Sequence, residues 1–277
     1  MAENEDVSED LYWRTGVSEV EPENVSIRGY DLEDLIGLPF GAMAFLLIRS
    51  RLPTPAETKV FDALLTGVLD YGLQKPGTAA ARYVVSSNPN MQAGLATAAL
   101  AAGDFSLAPE NAARFIQERH REFIEAGSGD LEAFARSVVE DADRTRLRIP
   151  GFGHPVFKGV DPRGAKLKKI AQEAGLWGEP ARLYEAIHAE FIKNPKRSHF
   201  PINDVGILAA ISIAIGLSPE ESTAMAIIGT LPGVTAHISE ELNARKPVRV
   251  IPPKDTYTSI SRRDVVADLK DAGWDCP

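Results

Sequence analysis

An all-α fold, helix packed on helix, is what this sequence predicts, and three observations predict it. Helix start and stop signals recur along most of the chain. Alternating β-branched runs are scarce. Alanine-rich stretches such as Gly94 to Ala102 let helices approach closely, as a layered helical architecture requires. The first 24 residues, rich in Glu and Asp, form an arm outside the core that is mobile or contacts a partner. A helix is expected over 31–50. Thr54-Pro55-Ala56-Glu57 then sets a capping residue and a first-turn proline ahead of Val60, Leu64, Leu65 and Val68, which share one helix face. Further helices are expected over 90–103, 109–126, 130–146, 162–175, 179–193, 203–216, 218–231 and 232–245. Asp161-Pro162 and Ser218-Pro219-Glu220-Glu221 mark two of the starts, and Gly127, Gly175 and Gly216 mark ends. The strand candidates, Arg82 to Ser86 and Val248 to Ile251, are too short to found a sheet.

Composition narrows the function classes. A chain of 277 residues can bury a core, as one large domain or two intimate ones. A net charge of -9 argues against nucleic acid as partner, although local basic clusters can still hold a small phosphorylated ligand. The single cysteine, Cys276, excludes a disulfide framework within the chain and fits a reducing compartment. The acidic segment Met1 to Asp10 lacks the pattern of a signal peptide, and the longest apolar run, Val205 to Ile215, is too short to span a bilayer. A soluble cytoplasmic protein is expected.

Five histidines are present: His120, His154, His188, His199 and His237. His120 and His188 lie in amphipathic helical surroundings and are expected on exposed helix faces, and His237 in a structural hydrogen bond. No pair has metal-ligand spacing and there is no Cys-x-x-Cys, so no metal site is expected. Gly151-Phe152-Gly153 lacks the preceding strand and the third glycine of a dinucleotide fingerprint. His154 differs from the other histidines. Pro150, Gly151, Gly153 and Pro155 hold it on a constrained turn where backbone can approach a ligand. Arg163 follows at a fixed step and can grip a carboxylate, with Lys158, Lys166, Lys168 and Lys169 nearby for phosphates. Spacing leaves two readings open, a substrate loop or a capped surface loop. Asp204 stands at the start of the most apolar helix, as an N-cap or as a partly buried base.

At these residues the chain resembles the citrate synthase superfamily, most of all its short citryl-CoA lyase members. Pro150-Gly151-Phe152-Gly153-His154 followed by Asp161-Pro162-Arg163 is similar to that family's P-G-[FY]-G-H…D-P-R signature, with the same step from His to Arg. The similarity runs from Arg28-Gly29-Tyr30-Asp31 to Val248–Pro252. It implies an all-α fold in which a small domain, 88–215, closes on a large one formed by 25–87 and 216–277, in a homodimer or higher homo-oligomer. It implies no bound cofactor; a coenzyme A thioester is the substrate, and the loop Pro150, Gly151, Phe152 and Gly153, with Lys158, lies against the CoA. His154 then contacts the substrate carbonyl or hydroxyl oxygen, Arg163 holds a substrate carboxylate, and Asp204 moves the proton on the carbon beside the thioester carbonyl.

Two departures from the family pattern bear on substrate. The histidine of the A-D-H-G or S-x-H-E motif is placed at Asn88, in Ser86-Ser87-Asn88-Pro89-Asn90, where an amide can donate to an enolate oxygen but cannot shuttle a proton. A carboxylate-clamping arginine is replaced by Thr230, which implies a substrate with fewer or differently placed carboxylates; Arg249 corresponds to the arginine donated across the dimer. The resemblance implies a carbon–carbon lyase acting on a 3-hydroxyacyl-CoA, and the short length fits a lyase. The alternatives are the reverse condensation and a non-catalytic paralogue that binds CoA esters.

Overall fold

The computed structural model describes residues 13–244, 248–257 and 260–275. Cys276 and the first half of the acidic arm lie outside the described residues. Twelve α-helices dominate the described residues, so the all-α reading holds. One addition was not expected. Three short strands, β1 (Ser18–Val20), β2 (Val25–Ile27) and β3 (Tyr30–Asp31), pair antiparallel in the order β1-β2-β3. They are too short to show alternation. Arg28 and Gly29, at φ 52° and 82°, form the two-residue turn between β2 and β3, a pair of positive angles that suits the twist of a hairpin.

The predicted helix over 31–50 is two helices, α1 (Leu32–Leu35) and α2 (Phe40–Arg49), parted where Gly37 turns to φ 97° and Pro39 cannot continue the helix. Helix α3 (Pro55–Gly67) starts as its sequence dictates: the Thr54 hydroxyl accepts from the Glu57 amide while Glu57 accepts from the Thr54 amide. Helix α4 (Pro76–Ser87) overturns the strand candidate at 82–86. Its small residues pack on α5 (Met91–Leu100), and Ala81, Val85 and Ala98 share a core cluster with Val234 and Ile238, so tertiary packing overrides the local β preference of Val84 and Val85. Val248–Ile251 forms no strand either.

Helices α6 (Glu110–Glu125), α7 (Leu131–Thr145), α8 (Pro162–Glu173), α9 (Glu179–Phe191) and α10 (Asp204–Ala214) follow the sequence closely. Gly127, Gly175 and Gly216 close helices at φ between 72° and 89°. The last two predicted helices are one, α11 (Pro219–Ala244), which runs through Pro232. Gly229 and Gly233 explain why it does not break there. A Cβ on either would stand 2.8 and 2.1 Å from the Leu65 and Leu69 carbonyl oxygens, so the bare backbone lies directly on the end of α3. Contact on both sides of the proline holds the two halves in line. A seven-residue helix, α12 (Val265–Asp271), was not foreseen. No helix among the described residues is long and apolar enough to cross a membrane.

The main core joins Phe45, Phe61 and Leu64 to Phe115, Ile116, Tyr184, Ile187, Leu208 and Ile211. Helix α10 is its axis, buried from Gly206 to Ser212. The polar end of this buried helix carries the site.

Candidate active site

Two segments that are distant in sequence are laced together at the start of α10. The Gly153 amide donates to the Pro201 carbonyl at 2.8 Å, the Asn203 amide to the Gly151 carbonyl at 2.9 Å, and the Asn203 side-chain amide to the Gly153 carbonyl at 2.9 Å. Tyr184, buried in the core, donates its hydroxyl to the Pro150 carbonyl at 2.6 Å. Phe152 turns inward onto Tyr184, His188 and Phe191, so the loop offers only its backbone to a ligand. His188 is therefore not on an exposed face. Burial lowers its pKa, and its Nε2 lies 2.8 Å from the Phe200 carbonyl. His237 does make a structural bond, to Asp70.

Gly151 and Gly153 sit at φ 84° and 92°. At Gly151 a Cβ would stand 2.2 Å from the Tyr184 hydroxyl and 2.8 Å from the Gly206 Cα. Left-handed strain and overpacking together give Gly151→Ala an expected cost of at least about 2 kcal/mol. The urea midpoint of the variant measures it; an unchanged midpoint would mean that the loop is not held this tightly.

The loop fixes His154 in one tautomer. Its Nδ1 accepts from the backbone amides of Val156 and Phe157, both at 3.0 Å, so the ring proton belongs on Nε2. That Nε2 faces Arg163 Nη2 at 3.3 Å. Both are donors in this state, so neither accepts from the other and both are left to meet an oxygen of a ligand.

Arg163 is the centre of the cluster. Its Nη2 and Nε reach Asp161 at 3.0 and 3.2 Å, and its Nη1 reaches Asp204 at 2.9 Å. The guanidinium lies over the rings of Tyr71 and Phe157, centroids 4.7 and 5.6 Å away. The two carboxylates take opposite states. Asp161, with its side chain wholly buried, caps α8; burial opposes its ionisation, but the Arg163 bonds and the amides of Arg163 and Asp204 outweigh burial and hold it below the usual range. Asp204 is pushed up by burial, against the pull of Arg163 and with the help of the Asp161 charge. Two carboxyls driven apart in this way are suited to different tasks, Asp161 to that of a fixed anion and Asp204 to that of a proton carrier. The N-cap reading of Asp204 is also settled, because Asn203 caps α10 through a bond from the Gly206 amide.

One donor atom from each of His154, Asp161 and Asp204 lies within 4.8 Å of the others. The Arg163 guanidinium already pairs with both carboxylates and sets a positive charge where an ion would sit, so the residues are arranged about an arginine and do not fit a divalent ion.

The structure does not bring every expected residue here. Asn88 ends α4, exposed, with its side chain on Asn90, about 20 Å along the helix axis from Lys75 at the other end. Arg249 is at that same far end, where its backbone amide donates to Ser86 and its guanidinium makes a two-pronged pair with Glu241 at 2.7 Å. Lys158 curls back to the His154 carbonyl. Thr230 is buried and accepts from the Lys75 ammonium. Asp161, Tyr71 and Lys75 were missed. For Tyr71 a signal exists: Leu69-Asp70-Tyr71-Gly72 keeps the Asp and Gly of the A-D-H-G pattern, with tyrosine in the histidine's place.

On the other side of the loop an open cleft of about 660 Å³ runs past Pro150, Gly151 and Gly153, lined also by Phe115, Leu147, Ile149, Asn203 and the cations Arg114 and Arg148.

Residues 54–254 match the sequence profile of the citrate synthase C-terminal domain. The citrate synthase of Corynebacterium glutamicum is 30% identical over 221 residues, covering 76% of this chain and 48% of that protein. The 2-methylcitrate synthase of Shewanella oneidensis is 25% identical over 229 residues, or 82% and 57%. The chain thus spans about half the length of these relatives. Citryl-CoA lyase from Hydrogenobacter thermophilus superimposes with a TM-score of 0.83 at 32% identity over 94% of this chain and 100% of that one. ATP citrate lyase of Methanosaeta concilii, solved with (3S)-citryl-CoA, shares the fold at TM-score 0.74 and 18% identity over 95% of this chain and 44% of that one.

Proposed function

We propose that this chain, which belongs to the citrate synthase family, is a carbon–carbon lyase that cleaves a citryl-CoA-like 3-hydroxyacyl-CoA to acetyl-CoA and an oxo acid. The observation that carries the reading is the cluster about Arg163: a histidine fixed as the Nε2–H tautomer opposite a carboxyl raised by burial. In the condensing sense, ionised Asp204 takes a proton from the carbon beside the thioester carbonyl. The enolate carbon then attacks the oxo carbon, and the His154 N–H steadies the oxygen on which charge collects. Cleavage is the same path reversed: the hydroxyl gives its proton to solvent as its oxygen becomes the oxo group, the carbon–carbon bond breaks, its electron pair enters the thioester as an enolate, and protonated Asp204 returns a proton to carbon and is recharged from solvent. A carboxyl raised above its ordinary range suits that acid role.

Arg163 is the clamp for a substrate carboxylate. Its bond to Asp204 is the one such a carboxylate competes for, so substrate would free the base as it binds. Tyr71, not Asn88, takes the place beside the thioester oxygen, since a phenol donates a hydrogen bond as an amide does. The CoA lies along the 660 Å³ cleft with its phosphates toward Arg114 and Arg148 and its adenine on the loop backbone. The match along the whole length of the Hydrogenobacter citryl-CoA lyase supports cleavage; relatives named as synthases favour condensation as the second reading. Exposed Phe40, Ile36 and Leu100, each more than 70% accessible, support a homodimer that covers apolar surface.

Incubation with citryl-CoA and related 3-hydroxyacyl-CoA esters, followed by chromatography, tests the proposal. Acetyl-CoA with an equal amount of oxo acid is expected. Release of free CoA from acetyl-CoA and an oxo acid, without cleavage of any ester, would establish condensation instead.

A further inference from the structure

We infer that the small cavity at the start of α4 is a subsite for a second substrate carboxylate, gripped by Lys75 with the hydroxyls of Thr78 and Thr230. The inference deepens the proposed function and rests on it for the neighbouring chemistry.

The cavity is lined by Lys75, Gly77, Thr78, Ser106 and Thr230 among others. Lys75 is the N-cap residue of α4 but does not cap it with its side chain. Its half-buried ammonium donates to Thr230, which is 2% exposed, and forms no ion pair with a carboxylate among the described residues. The other charges nearby are spoken for: Arg163 holds Asp161 and Asp204, and His237 holds Asp70. Thr78 supplies the independent sign of a ligand. It is 1% exposed, and its hydroxyl has no hydrogen-bond partner. A buried hydroxyl left unpaired costs about 1–3 kcal/mol, so an acceptor belongs there.

Size and position narrow the acceptor. The cavity, about 10 Å³, admits one water-sized group. One oxygen of a carboxylate fits; a branched apolar group does not. The first-turn amides of α4 add an attraction for negative charge. Burial pulls the Lys75 ammonium below its ordinary pKa, Asp70 and Asp204 oppose that pull, and Arg163 adds to it; an arriving anion would restore the charge. Tyr71 lies against Arg163, and the single turn Gly72–Gln74 leads from it to Lys75, so the subsite adjoins the cluster. Threonine at 230 therefore does not abolish a clamp: the cation has moved to α4, and the substrate keeps a second carboxylate.

Calorimetric titration with oxaloacetate, an oxo diacid, and pyruvate, an oxo monoacid, tests this. The native protein is expected to bind oxaloacetate at least about tenfold tighter, as one hydrogen-bonded charge implies. Lys75→Met should erase that preference and leave pyruvate binding as it was; Thr78→Val should weaken oxaloacetate several-fold. Preference kept in a folded Lys75→Met protein, or equal or no binding of the two acids by the native protein, overturns the subsite. Should Lys75→Met not fold, Thr78→Val decides alone. Since binding needs no turnover, loss of this inference leaves the lyase standing. A Lys75-dependent preference in a protein that turns over no ester would remove the lyase and leave the subsite.

Discussion

Asp204→Asn is expected to lower kcat by about three orders of magnitude at pH 7, the range for removing a positioned acid–base group. Binding of CoA should persist, because Asp204 does not line the cleft. The same variant should melt higher than the native protein at neutral pH. The sign follows from the direction of the shift. Burial places the folded-state pKa of Asp204 above its unfolded value, so ionisation favours the unfolded chain. That penalty is absent below the ordinary aspartate range, builds up as pH rises through it, and is complete above the raised folded value. Asparagine removes it, while Asp161 keeps Arg163 paired. Activity lost together with stability gained marks a residue held in place for chemistry; loss of both would make Asp204 part of the scaffold. In the native enzyme the acidic limb of the condensing pH–rate profile should sit above the range of an ordinary aspartate.

His154→Ala is the second large effect. Removing one donor aimed at a developing oxyanion costs about 10²- to 10³-fold in kcat. The alanine also strands the Val156 and Phe157 amides that Nδ1 had accepted, so a loss of loop order is expected with it. His154→Gln separates the two effects. It can still present an N–H to the substrate oxygen, and its kcat should fall between alanine and native. A glutamine variant no better than alanine, with its loop intact by amide exchange, would show that the histidine does more than donate one hydrogen bond.

Local signals in the sequence carried much of this structure. Thr54 to Glu57, Asp161-Pro162 and Ser218 to Glu221 start helices because capping is decided within four residues. What the sequence hid depends on contacts between distant segments. Pro232 reads as a break, yet α11 runs on through it, with bare glycines packed against the chain at and just past the end of α3 on both sides. Val84 and Val85 read as strand until α5 and α11 pack on Ala81 and Val85. At the site, the Gly-His-Pro loop and the step to Arg163 were legible because one loop and one helix start hold both. Asp161 was visible only as a cap. Tyr71 is brought to Arg163 by the chain between α3 and α4, Lys75 follows one turn later, and Asn88 is carried away by the length of α4.

Exchange of the protons on the acetyl group of acetyl-CoA for deuterium, followed by mass spectrometry in D₂O with an oxo diacid present, tests the central claim most directly. It needs no knowledge of the natural ester or of the direction of net reaction. Exchange by the native protein, abolished in Asp204→Asn and strongly reduced in His154→Ala, is the predicted result. A native protein that binds CoA yet leaves every acetyl proton in place, and cleaves no hydroxyacyl ester, would contradict it.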